Sequence, residues 1–140
     1  MKRLSKTLRE FCEKQDLLRL AYNGRNGYPC VVPLWFVKVG GKYCIGTGRS
    51  SAKWRAINRN SRVGWLIDGG KPPKYKGVSQ RGNALEITNR RLRASVYRAL
   101  SIKYFRRADH PSFVAMYGPV DDPGTVYFTL EPEDGFSWEY

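Results

Sequence analysis

The chain has 140 residues, enough for one domain with a sizeable core and too few for two ordinary ones. Its 25 Lys and Arg against 12 Asp and Glu give a net charge of +13, which draws anions: nucleic acid, a membrane surface, or a phosphorylated or polycarboxylated small molecule. No run of eighteen apolar residues reads as a membrane span and the basic N-terminus has no apolar signal core, so the expectation is a soluble, cytoplasmic protein with no membrane partner.

In chain order, Leu4, Leu8, Phe11 and Cys12 fall at helical spacing and predict an amphipathic helix over Lys2 to Lys14. Leu17 to Tyr22 reads as a first strand, and the Asn23-Gly24 and Asn26-Gly27 dipeptides supply the positive-φ residues of a reversal. Tyr28 to Val39 is apolar nearly throughout, which predicts a second strand covered on both faces, with Pro33 marking a bulge or an edge position. Gly40-Gly41 then predicts a tight hairpin into a third strand, Lys42 to Thr47, paired back onto the second.

A short helix follows, then a fourth strand over Ser61 to Asp68, with Val63, Trp65 and Ile67 on one face. Gly69 to Lys76 reads as a basic Gly/Pro loop, and Gly77 to Thr88 as a fifth strand bulged at Gly82. From Asn89 to Arg107, Leu92, Val96, Leu100 and Tyr104 recur every fourth position, so a long helix presents one apolar stripe and spreads its arginines over the other faces. His110 to Pro119 is a Pro-bounded connector with room for a helical turn. Gly124 to Leu130 is a sixth strand, which the acidic, aromatic tail Glu131 to Tyr140 could extend. Six short antiparallel strands with one internal helix suggest a small closed or partly open barrel of mainly β, α+β class, because closure removes exposed sheet edges.

The stretch Tyr43 to Asn60, YCIGTGRSSAKWRAINRN, carries the most chemistry. A strand that runs through a Gly/Ser turn into a helix opened by Ser50 or Ser51 presents backbone N–H groups without intrahelical partners, and Thr47, Ser50 and Ser51 add hydroxyls. Lys53 falls in the first helical turn with Arg49 and Arg55 beside it, where cations disfavour a helix start unless an anion meets them. The plainer alternative is a capped surface helix rich in Arg and Lys. Elsewhere the chemistry is thin. Cys12, Cys30 and Cys44 lack metal-ligand spacing, His110 is the sole histidine, and Asp121-Asp122 sit in a turn-like Pro/Gly context. These residues argue against a disulfide framework, a metal site and hydrolytic chemistry, and they identify no catalytic residue.

The run PCVVPLWFVKVGGKYCIGTGRSSAKWRAINRNSRVGWLID followed by GVSQRGNALEI resembles the split-barrel flavoproteins related to pyridoxamine 5′-phosphate oxidase. The resemblance implies a six-stranded antiparallel split β-barrel of the FMN-binding type, a homodimer with two cofactors at its seam, and a flavin-dependent oxidoreductase. It implies that Ser51 and Lys53 bind the cofactor phosphate, with the Ser50 hydroxyl beside them as a further candidate cofactor contact, and that Gly46, Thr47 and Gly48 lie along the ribityl chain. By the same likeness Val32, Pro33, Leu34 and Trp35 border the ring system, Arg62 belongs to a cofactor-binding Asn-x-Arg-Val segment, and Gln80 reaches across the dimer interface. Similar barrels bind FMN, a deazaflavin, FAD or haem. FMN is therefore the first expectation, a deazaflavin with its acidic tail the alternative, and haem with His110 as axial ligand a further one. The small-molecule substrate and the electron donor stay open, and the absence of a basic C-terminal recognition motif speaks against vitamin B6 oxidation. From a different class, a nucleic-acid module could use the Arg-rich helix, but its arginines are spread around the helix axis rather than gathered on a stripe.

Overall fold

The structure is a computed structural model that describes residues 3–140. Helix α1 spans Lys6–Glu13, where the Ser5 hydroxyl accepts the Leu8 N–H at 3.1 Å and sets the start; Leu8 and Cys12, one turn apart, are its buried residues. The expected start at Lys2 lies outside the described residues. Strands β1 (Leu18–Asn23) and β2 (Pro29–Leu34) form the hairpin that the Asn-Gly pairs predict, with Asn26 at φ 67° and Gly27 at φ 77°. Strands β3 (Val37–Val39) and β4 (Lys42–Gly48) form the next one, with Gly40 and Gly41 both at positive φ.

Helix α2 (Ala52–Arg59) leads to β5 (Arg62–Lys71) and β6 (Lys74–Glu86), and α3 (Arg90–Phe105) follows. The Asn89 side chain accepts the Leu92 N–H at 2.9 Å to cap α3, and Arg106 ends it at φ 72°. The connector forms a full helix, α4 (Pro111–Tyr117), and β7 runs from Thr125–Glu139, so the tail does extend the last strand.

These strands make one curled antiparallel sheet in the order β2-β1-β5-β6-β7-β4-β3. It has seven strands instead of the expected six, because the apolar stretch Tyr28 to Val39 breaks at Trp35-Phe36: β2 pairs with β1 on one edge, and β3 pairs with β4 on the other. A chain that serves both edges must leave one ladder before joining the next. No ladder joins β2 to β3 among the described residues, so the sheet is a half-barrel with two edges. As an edge strand β2 tolerates Pro33, as the edge reading requires, but it is not covered on both faces: Pro29, Val31 and Pro33 are exposed while Cys30, Val32 and Leu34 are half-buried. Gly69 to Lys76 is a hairpin rather than a loop, with rungs at Gly69↔Lys76, Gly70↔Tyr75 and Lys71↔Lys74 around Pro72-Pro73. The expected irregularity at Gly82 is present, as a register shift between Arg81 and Gly82 against β7.

The concave face holds the larger core, in which Leu18, Leu20, Ile45, Trp65, Ile67, Val78 and Phe128 pack with Leu8 of α1 and Trp54 and Ile57 of α2. On the opposite face of β4 and β7, α3 and α4 cover Cys44 and Tyr127 with Val96, Tyr97, Leu100 and Phe113. Each such large side chain contributes about 1.5–3 kcal/mol by leaving water, which is how a helix so rich in arginine still docks. No helix of the described residues is long and apolar enough to cross a membrane.

Candidate functional site

Strand β4 alternates so that Tyr43 and Ile45 face the larger core, while Cys44 faces the helices. At its end Thr47 is buried, and its Oγ1 lies 3.0 Å from the Lys53 Nζ, which donates to it from the first turn of α2. Lys53 has no ion-pair partner among the described residues. The Ser51 hydroxyl accepts the Trp54 N–H at 3.2 Å and its own N–H donates to Gly48 at 3.1 Å, so Ser51 builds the turn itself. Ser50 is exposed, and a side chain at Gly48 would meet open space. A half-buried lysine held against the strand end, an exposed serine and first-turn N–H groups without intrahelical acceptors thus sit at the same end of α2, an arrangement suited to an anion.

Arg49 and Arg55, the arginines that flank Lys53, go elsewhere. Arg49 donates through Nε to the Pro123 carbonyl at 3.0 Å and pairs with Glu86 at 3.1 Å, which ties the turn to β6 and to the start of β7. Arg55 lines a groove beside the β1–β2 hairpin. Gly46 has a packing role: a Cβ there would come within 2.7 Å of the Tyr127 ring and 3.0 Å of the Tyr117 ring.

The residues expected at a ring system lie at the break between β2 and β3. Val32 and Leu34 pack against the larger core and Pro33 points outward. Trp35 stacks on Tyr104 with ring centroids 4.4 Å apart and planes 9° apart, and it also faces Tyr117 at 6.4 Å. Burial pushes the Tyr104 and Tyr117 hydroxyls up to about 12. Tyr104 belonged to the helical stripe in the sequence, but nothing there signalled that it meets Trp35, because the contact spans 69 residues of chain.

Arg62 and Gln80 form a third group. Gln80 accepts the Trp65 Nε1–H at 2.9 Å and lines a cleft of about 420 Å³ with Arg81, Asp134 and the exposed Phe136. Arg62 lines a neighbouring cleft of about 630 Å³ that shares Arg81. A hydrogen bond from the Arg81 guanidinium holds the Asp134 carboxyl below its ordinary range. Gly46, Thr47, Gly48, Ser50, Ser51 and Lys53 therefore cluster at the end of β4, and Arg62 and Gln80 open onto clefts that adjoin at Arg81. The clefts at Arg62 and Gln80 hold none of the residues at the end of β4. The Asp134 side of the clefts did not stand out in the sequence, since an acidic residue in an acidic tail acquires meaning there only through its strand register with Arg81.

The fold is thus an open half-barrel of mixed α+β type with an anion-suited strand-to-helix turn. The family model for pyridoxamine 5′-phosphate oxidase matches residues 4–139, and the chain belongs to that family. No curated protein matches it. Among solved structures it is similar to the conserved hypothetical protein Rv2991 from Mycobacterium tuberculosis, at 20% identity and a TM-score of 0.83 over 98% of this chain and 86% of that one. It is also similar to HutZ, the heme storage protein from Vibrio cholerae (17% identity, TM-score 0.74, 99% and 95% covered). A third is General Stress Protein 26 from Bacillus anthracis (18% identity, TM-score 0.70, 94% and 91% covered). At such identities the likeness is one of fold.

Proposed function

We propose that the chain binds FMN and acts as a flavin-dependent oxidoreductase, as a homodimer in which each site draws on both subunits. The observation that carries this reading is the Lys53–Thr47 pair at the start of α2. A point charge held against a strand end, beside the exposed Ser50 and unpartnered helix N–H groups, suits a phosphate dianion. The open space at Gly48 leaves room for the chain that would lead away from the phosphate. Family membership supports flavin over an unrelated phosphate ester.

When bound, the flavin ring supplies the transfer of hydride or electrons; the protein supplies position and environment. Lys53 and Ser50 hold the charged end, while the outward Pro33 and the stacked Trp35 offer a stiff border for a ring. Arg62 on β5 and Gln80 on β6 are separated from β4 in the sheet by β7, and in the dimer they reach the cofactor of the second subunit. His110 accepts the Ser112 N–H through Nδ1 at 3.1 Å and stacks on Phe105, a structural role that favours flavin over haem.

The test is the visible spectrum of the purified protein before and after separate titrations with FMN, a deazaflavin and haemin. Saturable FMN binding with two broad flavin bands is expected, and Lys53→Ala should weaken it by about tenfold, the scale of one charge-assisted contact, without unfolding the protein. A single deazaflavin band or an intense Soret band would replace FMN as the cofactor, and an unchanged FMN affinity in Lys53→Ala would remove Lys53 from the site.

A further inference from the structure

Helix α2 carries a second basic feature on a different side from Lys53. Ala52, Arg55, Ala56 and Arg59 recur at i, i+3, i+4 and i+7 and form one wall of a groove of about 380 Å³. The opposite wall comes from the β1–β2 hairpin, through Tyr22, Gly24, Arg25 and Cys30. Its shape is fixed by the turn. The Gly24 N–H donates to the Tyr28 carbonyl at 2.9 Å, and a Cβ at Gly24 would sit 2.6 Å from the Cys30 Sγ and 3.1 Å from the Tyr28 carbonyl oxygen, so glycine suits a turn this tight, which carries Arg25 to the groove.

Three arginines thus line one concavity, and no acidic residue lines it with them. The ion pairs of the described residues use Lys6, Arg19, Lys38, Lys42, Arg49 and Arg81, and none of these belongs to the groove. Among the described residues the Arg25 and Arg55 side chains have no hydrogen-bond partner, and Arg59 has only a long contact of 3.5 Å to the Arg55 carbonyl. Arg59 gains something from the negative end of α2, but Arg25 and Arg55 have no such compensation. Like charges gathered in a concave wall repel one another and focus a positive field into the groove. Planar guanidinium forks match phosphate oxygens two at a time, and several forks suit adjacent phosphates.

We propose that this groove is an anion site for a phosphate chain carrying at least two negative charges, held by Arg25, Arg55 and Arg59. It is separate from the Lys53 end of α2 and does not depend on the flavin reading. The phosphates can come from a free nucleotide or from a nucleic-acid backbone, which present the same chemistry.

Calorimetric titration of the full chain with ATP, and separately with a short single-stranded DNA, tests the site. ATP is expected to saturate at one per chain, and the Arg25→Gln/Arg55→Gln variant to lose about tenfold or more in affinity, the scale of a lost bidentate contact. Lys53→Ala should bind as the parent does. So should Arg91→Gln/Arg98→Gln, which removes the same charge from exposed positions of α3. If only the DNA saturates and the groove variant abolishes that binding, the phosphates belong to a nucleic-acid backbone and the groove stands. Equal losses in the α3 variant would make the binding a general effect of net charge, and absence of saturation by either probe would also overturn the site. All three arginines of the groove are exposed, so thermal unfolding of the variants should match the parent and keep the comparison valid.

Discussion

Burial pushes the Lys103 ammonium down to about 8, although its Nζ donates to the Phe36 carbonyl at 3.0 Å and lies 3.6 Å from the centroid of the Phe36 ring. Removal from water dominates, with Asp16 and Glu13 acting weakly in the other direction. A lysine whose folded pKa lies below its unfolded value binds its proton more readily in the unfolded chain. Between about pH 8 and pH 10 stability must therefore rise with pH on account of this group. The difference in unfolding free energy between the parent and Lys103→Met should move in the parent's favour across that window, read from urea denaturation at several pH values; a flat difference would show the ammonium to be as well solvated folded as unfolded. Arg93 is the converse case. Its Nε and Nη2 donate to the Val120 and Asp122 carbonyls, each at 2.7 Å, and its guanidinium lies 4.7 Å from the centroid of the Tyr127 ring. Arg93→Ala should cost about 2–4 kcal/mol, two charge-assisted hydrogen bonds and a cation–π contact, whereas exposed Arg91→Ala should cost little; equal unfolding midpoints would reduce Arg93 to a surface charge. In the sequence the two arginines look alike, since what separates them is a loop 27 to 29 residues away.

At the scale of elements, the signals that proved legible were local ones. The Asn-Gly and Gly-Gly pairs fixed both early hairpins, Ser51 capped α2, and the four-residue stripe placed α3, because each depends on residues within a turn or two. The second strand departs from its expectation because an apolar run shows that residues avoid water, not which neighbour shields them. The break at Trp35-Phe36 is held from outside the run: the Phe36 N–H donates to the Tyr104 hydroxyl at 2.9 Å, which also lies 3.0 Å from the Asp16 carbonyl. For the candidate site the consequence is similar, since the Thr47–Lys53 end is local and readable while the surroundings of Trp35 and Gln80 are tertiary. Gly82 tests the bulge in β6. A Cβ there would collide with the Glu131 carbonyl oxygen and come within 2.9 Å of Pro132, both backbone and unable to swing aside. Gly82→Ala should destabilise by about 1–3 kcal/mol through overpacking, measured by chemical denaturation, and a neutral result would mean that the bulge can slide along β7.

For the whole molecule, the proposed shared site requires a second copy. Light scattering at micromolar concentration should give twice the chain mass, and a clean monomer would sink the proposal that Arg62 and Gln80 serve a neighbour's cofactor. The sheet order bears on a different matter, the timing of folding. Strand β7 lies between β6 and β4, and β4 has no neighbours but β7 and β3. Until residues 125–139 exist, the chain can assemble only a four-stranded piece from β2, β1, β5 and β6 and a separate β3–β4 hairpin, which alone is marginal in water. A nascent chain leaving the ribosome therefore holds two disconnected fragments, with Phe128, Leu130 and Tyr127 missing from both cores, until the last strand emerges and joins them.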